Sequence, residues 1–198
     1  MDSLNVFTVQ PSIPAQEWDL RFANESSSEL AGGSGWSPNW GGARRFSLQS
    51  RAAESSDVAT QSIAASIFLV EDNPADVGLI REALEEHGVD GELIVAADGE
   101  QAIELIHAFG DRPENCPDLA IVDLSLPKRS GKEVLENLRV SGICRHMPVV
   151  VVSSSDVHQD KAEALRLGAR QYIRKPTRLE EFLALGAIFK TTLASSRK

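Results

Sequence analysis

The feature that most constrains the fold is a regular alternation, from residue 66 onward, of short apolar runs with longer amphipathic stretches. Strands that alternate with helices in this way form a parallel sheet with helices on both faces. We therefore predict an α/β fold with a doubly wound, five-stranded parallel sheet. The predicted strands are Ile67–Val70, Leu93–Ala97, Leu119–Val122, Val149–Val152 and Gln171–Ile173.

The amphipathic stretches carry start and stop signals for helices. The first helix is predicted over Pro74–His87, because proline suits a first helical position and Gly88 suits the position after the last. Capping-box patterns at Asp98 with Gln101 and at Ser130 with Glu133 predict the next two starts. The remaining helices are predicted over residues 156–167 and 179–189.

Residues 1–62 differ in composition from this domain, which we place at residues 65–190. They are rich in serine and glycine, are interrupted by prolines, and sustain no apolar period, so we expect a disordered extension. All three tryptophans, Trp18, Trp36 and Trp40, nevertheless lie there. The extension is a tail without specific function, a docking element that folds on a partner, or an untranslated stretch upstream of a start near Val58.

Charge and hydropathy exclude several classes. A net charge of −9 argues against broad nucleic-acid binding, and no apolar run is long enough for a membrane span. The first twenty residues contain no basic residue, unlike a signal peptide, so we expect a cytoplasmic protein. Cys116 and Cys144 match no metal spacing and are predicted to be free thiols.

Polar residues follow four of the predicted strands, where the active sites of parallel sheets lie. They are Glu71 and Asp72, then Asp123, the serines 153–155, and Lys175 with Pro176. Each group alone has an ordinary explanation, as solvated acids, a helix cap, a turn or a loop. Because all of these residues are expected at the same edge of the sheet, together they indicate a functional site.

Three close carboxylates repel one another unless a cation lies among them, and hard oxygen ligands suit Mg²⁺. A carboxylate beside Mg²⁺ and a lysine can attack phosphorus and form an aspartyl phosphate. The compact ammonium of Lys175 can pair with phosphoryl oxygens.

These residues resemble the receiver domain of the response regulators of two-component signalling, which has a flavodoxin-like fold. The resemblance covers the whole predicted domain. It rests on the segments 68–76, 121–127 with Ser130 and Gly131, 148–153, 168–169 and 172–176.

The resemblance implies that Asp123 is the phosphate acceptor. Glu71 and Asp72 would be the acidic pair that holds Mg²⁺, and the backbone carbonyl of Ser125 would complete the metal site. Ser153 would be the switch hydroxyl, and Tyr172 the aromatic partner that turns inward when it moves. Lys175 would form the phosphate salt bridge, before a cis peptide to Pro176.

The resemblance also implies partners: a sensor histidine kinase or phosphotransfer protein, and a downstream target protein. Only residues 190–198 follow the last predicted helix, so we expect a stand-alone response regulator that acts through protein contacts and catalyses only its own phosphorylation and dephosphorylation. A homodimer through the fourth and fifth helices fits this description.

Two stretches resemble the subgroup paired with phytochromes, namely Asn73–Asp76 and the long segment Ala108–Pro117. The first stretch can equally be the start of a helix, which is the interpretation we favour.

Two other functions remain open. A phosphatase of the dehalogenase type also uses a strand-end aspartate with Mg²⁺, but it needs a second aspartate where Ser125 stands. A receiver-like module that is never phosphorylated would keep the fold and lose the chemistry.

Overall fold

The computed structural model describes residues 42–49, 63–109, 113–142 and 144–196, which belong to one compact unit. The strands are β1 (Arg44–Leu48), β2 (Ile63–Val70), β3 (Val89–Ala96), β4 (Leu119–Val122), β5 (Val149–Ser153) and β6 (Gln171–Arg174). The α-helices are α1 (Pro74–Glu86), α2 (Gly99–Phe109), α3 (Gly131–Val140), α4 (His158–Arg166), α5 (Leu179–Leu183) and α6 (Leu185–Ser196). Short 3₁₀ turns cover Pro113–Asn115 and Cys144–His146.

The strands form one sheet in the order β1-β3-β2-β4-β5-β6, and the five predicted strands pair in parallel. Successive residues of β2 face opposite sides, so Phe68 enters one core with α2 and α3, and Ile67 enters another with α1, α5 and α6. The predicted doubly wound α/β fold is confirmed. None of the described helices has the length and apolar composition needed to cross a bilayer.

A sixth strand, β1, was not predicted. It pairs antiparallel with β3 and lies inside the stretch that we expected to be disordered. Leu48 is only 2% exposed, and the guanidinium of Arg81 lies 5.7 Å from the ring centre of Phe46. The sequence analysis missed β1 because Phe46 and Leu48 are the only apolar residues of this strand. The three tryptophans and Val58 lie outside the described residues.

Local capping sets the starts of three helices. Asn73 accepts a hydrogen bond from the Ala75 N–H and Pro74 occupies the first helical position. Asp98 accepts the Gln101 N–H at 2.8 Å, and Ser130 with Glu133 forms the predicted capping box.

The predicted last helix is two helices that meet at Ala184, and the second continues to Ser196 rather than ending at residue 189. A Cβ on Gly186 would lie 2.0 Å from the Ala83 carbonyl oxygen, so this glycine permits the close approach of α6 to α1.

The prediction of free thiols is wrong, because Cys116 and Cys144 form a disulfide with a Cα–Cα distance of 5.6 Å. The cysteines are 28 positions apart, but one precedes β4 and the other precedes β5. Since β4 and β5 are neighbouring parallel strands, their amino-terminal ends lie side by side. The prediction relied on redox compartment and ignored this consequence of the predicted topology.

Candidate functional site

The register of the sheet brings the candidate residues to its carboxyl edge. Val70 of β2 lies opposite Val122 of β4, and the Asp123 N–H donates to the Val70 carbonyl at 3.0 Å. Further along, the Lys175 N–H donates to the Ser153 carbonyl at 2.8 Å. These backbone bonds extend the pairing one residue beyond β4 and β6, so the residues that follow the strands are fixed in place.

Three carboxylates converge at this edge. Glu71 and Asp123 are 1% and 4% exposed, whereas Asp72 is exposed. Each offers one carboxylate oxygen, and the three oxygens lie within 4.8 Å of one another. The Ser125 N–H donates to Asp123 Oδ1 at 3.0 Å, and the Asn73 N–H donates to Glu71 Oε1 at 3.1 Å. The two buried acids are therefore oriented by backbone donors.

Lys175 lies among the acids. Its Nζ donates to Glu71 Oε2 at 2.8 Å, to Asp123 Oδ2 at 2.7 Å and to Asp76 Oδ2 at 2.7 Å. Asp76 is the site residue that the sequence analysis missed. Its position in the first turn of α1 explains why it was interpreted only as part of a helix start.

Burial and charge shift the proton equilibria of this cluster. Burial raises the pKa of the Glu71 carboxyl to about 7, although the contact with Lys175 acts in the opposite direction. Burial disfavours the Lys175 ammonium, but its hydrogen bonds to Asp123, Asp76 and Glu71 outweigh this and hold its pKa above the usual range. Lys175 therefore carries its charge at neutral pH.

The donor set fits a hard divalent cation. Glu71, Asp72 and Asp123 supply carboxylate oxygens, which are the ligands that Mg²⁺ and Mn²⁺ accept. Asp72 is the most exposed of the three, so its carboxylate is accessible to solvent. The Ser125 carbonyl as a further ligand stays a prediction.

The predicted switch residues lie on the two neighbouring strands. Ser153 ends β5 fully buried, and its Oγ accepts the Ser155 N–H at 3.3 Å. Tyr172 lies partly buried on β6, and its hydroxyl donates to the Ser155 carbonyl at 2.8 Å. The structure thus connects both residues through Ser155, which the sequence analysis treated as turn chemistry.

The predicted cis peptide between Lys175 and Pro176 is wrong, since the described residues include no cis bond. A trans bond is the lower-energy form for most prolines. Lys175 reaches the three acids with the bond in the trans form.

Comparison with known proteins gives consistent matches. A sequence profile described as "Response regulator receiver domain" matches residues 67–185. The response regulator Rcp1 of Synechocystis sp. is 34% identical over 121 residues, which cover 60% of this chain and 82% of Rcp1. The structure of the phosphorylated cyanobacterial phytochrome response regulator RcpA is similar with a TM-score of 0.60, at 34% identity, over 67% of this chain and 96% of RcpA. The Mn²⁺-bound form of Rcp1 gives a TM-score of 0.57 at 30% identity, over 64% of this chain and 92% of that one.

Proposed function

Because the chain belongs to the response regulator receiver domain family, we propose that Asp123 accepts a phosphoryl group from a sensor histidine kinase or a phosphotransfer protein. The observation that carries the proposal is the position of the Asp123 carboxylate. It lies 2.7 Å from Lys175 Nζ and is grouped with Glu71 and Asp72 at the carboxyl edge of the sheet. The consequence of phosphorylation is a change of contact with a target protein.

The reaction is a displacement at phosphorus. A carboxylate oxygen of Asp123 attacks the phosphorus of phosphohistidine, the P–N bond breaks, and the imidazole leaves with the electron pair and takes up a proton. The product is an acyl phosphate. Lys175, already hydrogen-bonded to Asp123, pairs with a phosphoryl oxygen. Attack of water on the phosphorus then breaks the bond to the Asp123 oxygen and releases inorganic phosphate and the free carboxylate, so the protein also catalyses its own dephosphorylation.

We assign Mg²⁺ as the metal, held by Glu71, Asp72, Asp123 and the Ser125 carbonyl. When bound it neutralises charge on the transferred group. The acidic cluster and the Mn²⁺-bound relative support a divalent ion at this place. Ser153 would then bond the phosphoryl group, and Tyr172 would follow the movement of the hydroxyl.

The test is labelling of wild type and of Asp123→Asn with radioactive acetyl phosphate and Mg²⁺. Wild type should gain a label that hydroxylamine removes, as expected for an acyl phosphate, and Asp123→Asn should gain none. Asp156→Asn, which changes an exposed acid near the same edge, should label as wild type does. Label of equal intensity on Asp123→Asn would refute the assignment.

The relatives also suggest a partner. Similarity to Rcp1 and to RcpA supports a phytochrome-type histidine kinase as the phosphoryl donor. Such kinases take the phosphoryl group from ATP, so the proposal includes a cytoplasmic location. We would measure the rate of phosphotransfer from a panel of purified histidine kinases, some with and some without a chromophore-binding domain. These rates compare the candidate donors. The homodimer stays a prediction.

A further inference from the structure

Ser155, two residues beyond the predicted switch hydroxyl, is bonded in four directions. Its N–H donates to Ser153 Oγ at 3.3 Å and its carbonyl accepts the Tyr172 hydroxyl at 2.8 Å. Its Oγ donates a hydrogen bond to the Asp160 carboxylate and accepts the Val157 N–H at 3.3 Å. One small residue thus joins the interior of the site to the start of α4.

Asp160 extends this connection to α3. Lys132 Nζ lies 2.9 Å from Asp160 Oδ1 and 2.6 Å from Glu163 Oε2. Lys132 follows Gly131, where a Cβ would lie 2.1 Å from the Asp123 carbonyl oxygen, so α3 begins directly against the acceptor residue. The hydrogen bond from Ser155 and the contact with Lys132 hold the pKa of Asp160 below its usual range, which keeps it charged.

Apolar packing holds α4 only weakly. Of its nine residues, Ala164 alone is buried. Val157 at its N-cap position makes no side-chain hydrogen bond to the helix. The Ser155 hydroxyl instead ties the residues at the start of α4 together, because it accepts the Val157 N–H and donates to the Asp160 carboxylate. The position of the β5–α4 segment therefore depends on a few polar contacts.

We propose that Ser155 and Asp160 form a latch that holds the β5–α4 segment and Ser153 in the arrangement described here, and so opposes the switch of the receiver. The proposal rests on the proposed function. The Ser155 N–H holds the Ser153 hydroxyl and the Asp160 carboxylate holds Ser155, so these two hydrogen bonds together would oppose a movement of that hydroxyl toward a phosphoryl group on Asp123. Both residues act through Ser153 and are positioning residues. A contact that stabilises one state of a two-state equilibrium lowers the apparent affinity of every ligand that binds the other state.

The test is the affinity of wild type and variants for beryllofluoride, a phosphoryl mimic, in the presence of Mg²⁺, measured by titration calorimetry. Ser155→Ala and Asp160→Ala should each bind about tenfold more tightly than wild type, the effect expected for loss of one charged hydrogen bond that opposes binding. The double variant should bind no more tightly than either single variant, because both substitutions break the same contact.

The matched control is Asp156→Asn. Asp156 lies in the same segment, but its carboxylate pairs with Arg174 at 2.9 Å and not with Ser155. It should bind the mimic as wild type does. Affinities of Ser155→Ala and Asp160→Ala within twofold of wild type, or weaker, would overturn the latch, and so would a lower melting temperature without a gain in affinity.

A second readout separates this proposal from the proposed function. Amide hydrogen exchange in the ligand-free protein should be faster over residues 155–166 in both latch variants and unchanged in Asp156→Asn. If wild type fails to bind beryllofluoride, the proposed function is wrong, and exchange alone then decides whether the restraint on α4 exists. Unchanged hydrogen exchange over residues 155–166 in the latch variants would count against the latch, whether or not wild type binds beryllofluoride.

Discussion

Lys175 has a structural role besides the chemical one that we propose for it. It is the single cation in contact with three carboxylates within the described part of the chain, and two of these acids are almost completely buried. Buried charges cost free energy unless they are paired, and removing one partner of a buried pair leaves the other uncompensated. The ammonium that we propose pairs with a phosphoryl group thus also offsets the repulsion among these three acids.

Lys175→Ala should therefore lower the free energy of unfolding by about 3 kcal/mol in the absence of divalent metal, because Glu71, Asp76 and Asp123 then repel one another. Added Mg²⁺ should restore more stability to the variant than to wild type, since it replaces the missing positive charge. Urea unfolding with and without about 10 mM Mg²⁺ measures both effects. This concentration is about a hundred times the Kd of a weak site, so the metal-bound form is populated at micromolar protein. Lys161→Ala, on the exposed face of α4, serves as the control; equal midpoints for the two variants would contradict this role.

Affinity for Mg²⁺ should depend on pH through Glu71. Burial raises the pKa of this carboxyl to about 7, so near neutral pH the metal-free site is partly protonated. A cation binds the carboxylate form, so affinity should rise as the pH rises through about 7 and level off above it, and binding should release a proton. Calorimetry at pH 6.5 in two buffers of different ionisation enthalpy counts that proton. Heats that do not depend on the buffer would contradict the prediction.

The residues at the strand ends were predictable because a parallel sheet places them at one edge, whatever their distance along the chain. The contribution of Asp76 could not be predicted, because acidic residues are common in the first turn of a helix whether or not a functional site is nearby. The role of Ser155 was hidden for a similar reason, since a serine cluster after a strand ordinarily indicates only a turn.

At the scale of elements, β1 adds a strand to an otherwise parallel sheet. Phe46 and Leu48 pack against the core that contains α1, while Arg45 pairs with Glu92 at 2.7 Å. The strand was not predictable, because five residues with two apolar positions match many loops. The break at Ala184 was also missed, since helical periodicity continues across it. Longer strands with continuous apolar runs were located to within a few residues.

Leu48→Ala should destabilise the protein by about 2–3 kcal/mol, because the side chain is buried and its removal leaves a cavity beneath β1. Ser47→Ala, at the neighbouring exposed position, should change the free energy of unfolding by less than about 0.5 kcal/mol. Chemical unfolding of both variants provides the comparison. Equal effects would show that β1 contributes nothing to the stability of the sheet.

At the scale of the whole molecule, the candidate site and the disulfide lie at opposite ends of the central strands. The carboxyl ends of β4 and β5 carry Asp123 and Ser153, and the segments before their amino ends carry the disulfide. Topology could have revealed this pairing, because cysteines that precede neighbouring parallel strands come close together. Sequence spacing alone could not.

Reduction of the disulfide, or the double substitution Cys116→Ser with Cys144→Ser, should lower the free energy of unfolding by about 3.5 kcal/mol, as expected for a cross-link that closes a loop of this length. Labelling of Asp123 by acetyl phosphate should persist, because the site lies at the other end of the strands. Thiol titration of the unfolded, unreduced protein should find no free thiol; two free thiols would refute the cross-link.

The antiparallel edge has a practical consequence for anyone who trims the chain. A shortened protein that begins at β2 would uncover the outer side of β3, an eight-residue strand, together with its row of unpaired backbone groups. Open strands of this kind recruit strands from other molecules. Crystallisation trials and aggregation assays with such a truncated chain would then report on self-association through an edge that β1 covers in the intact sheet.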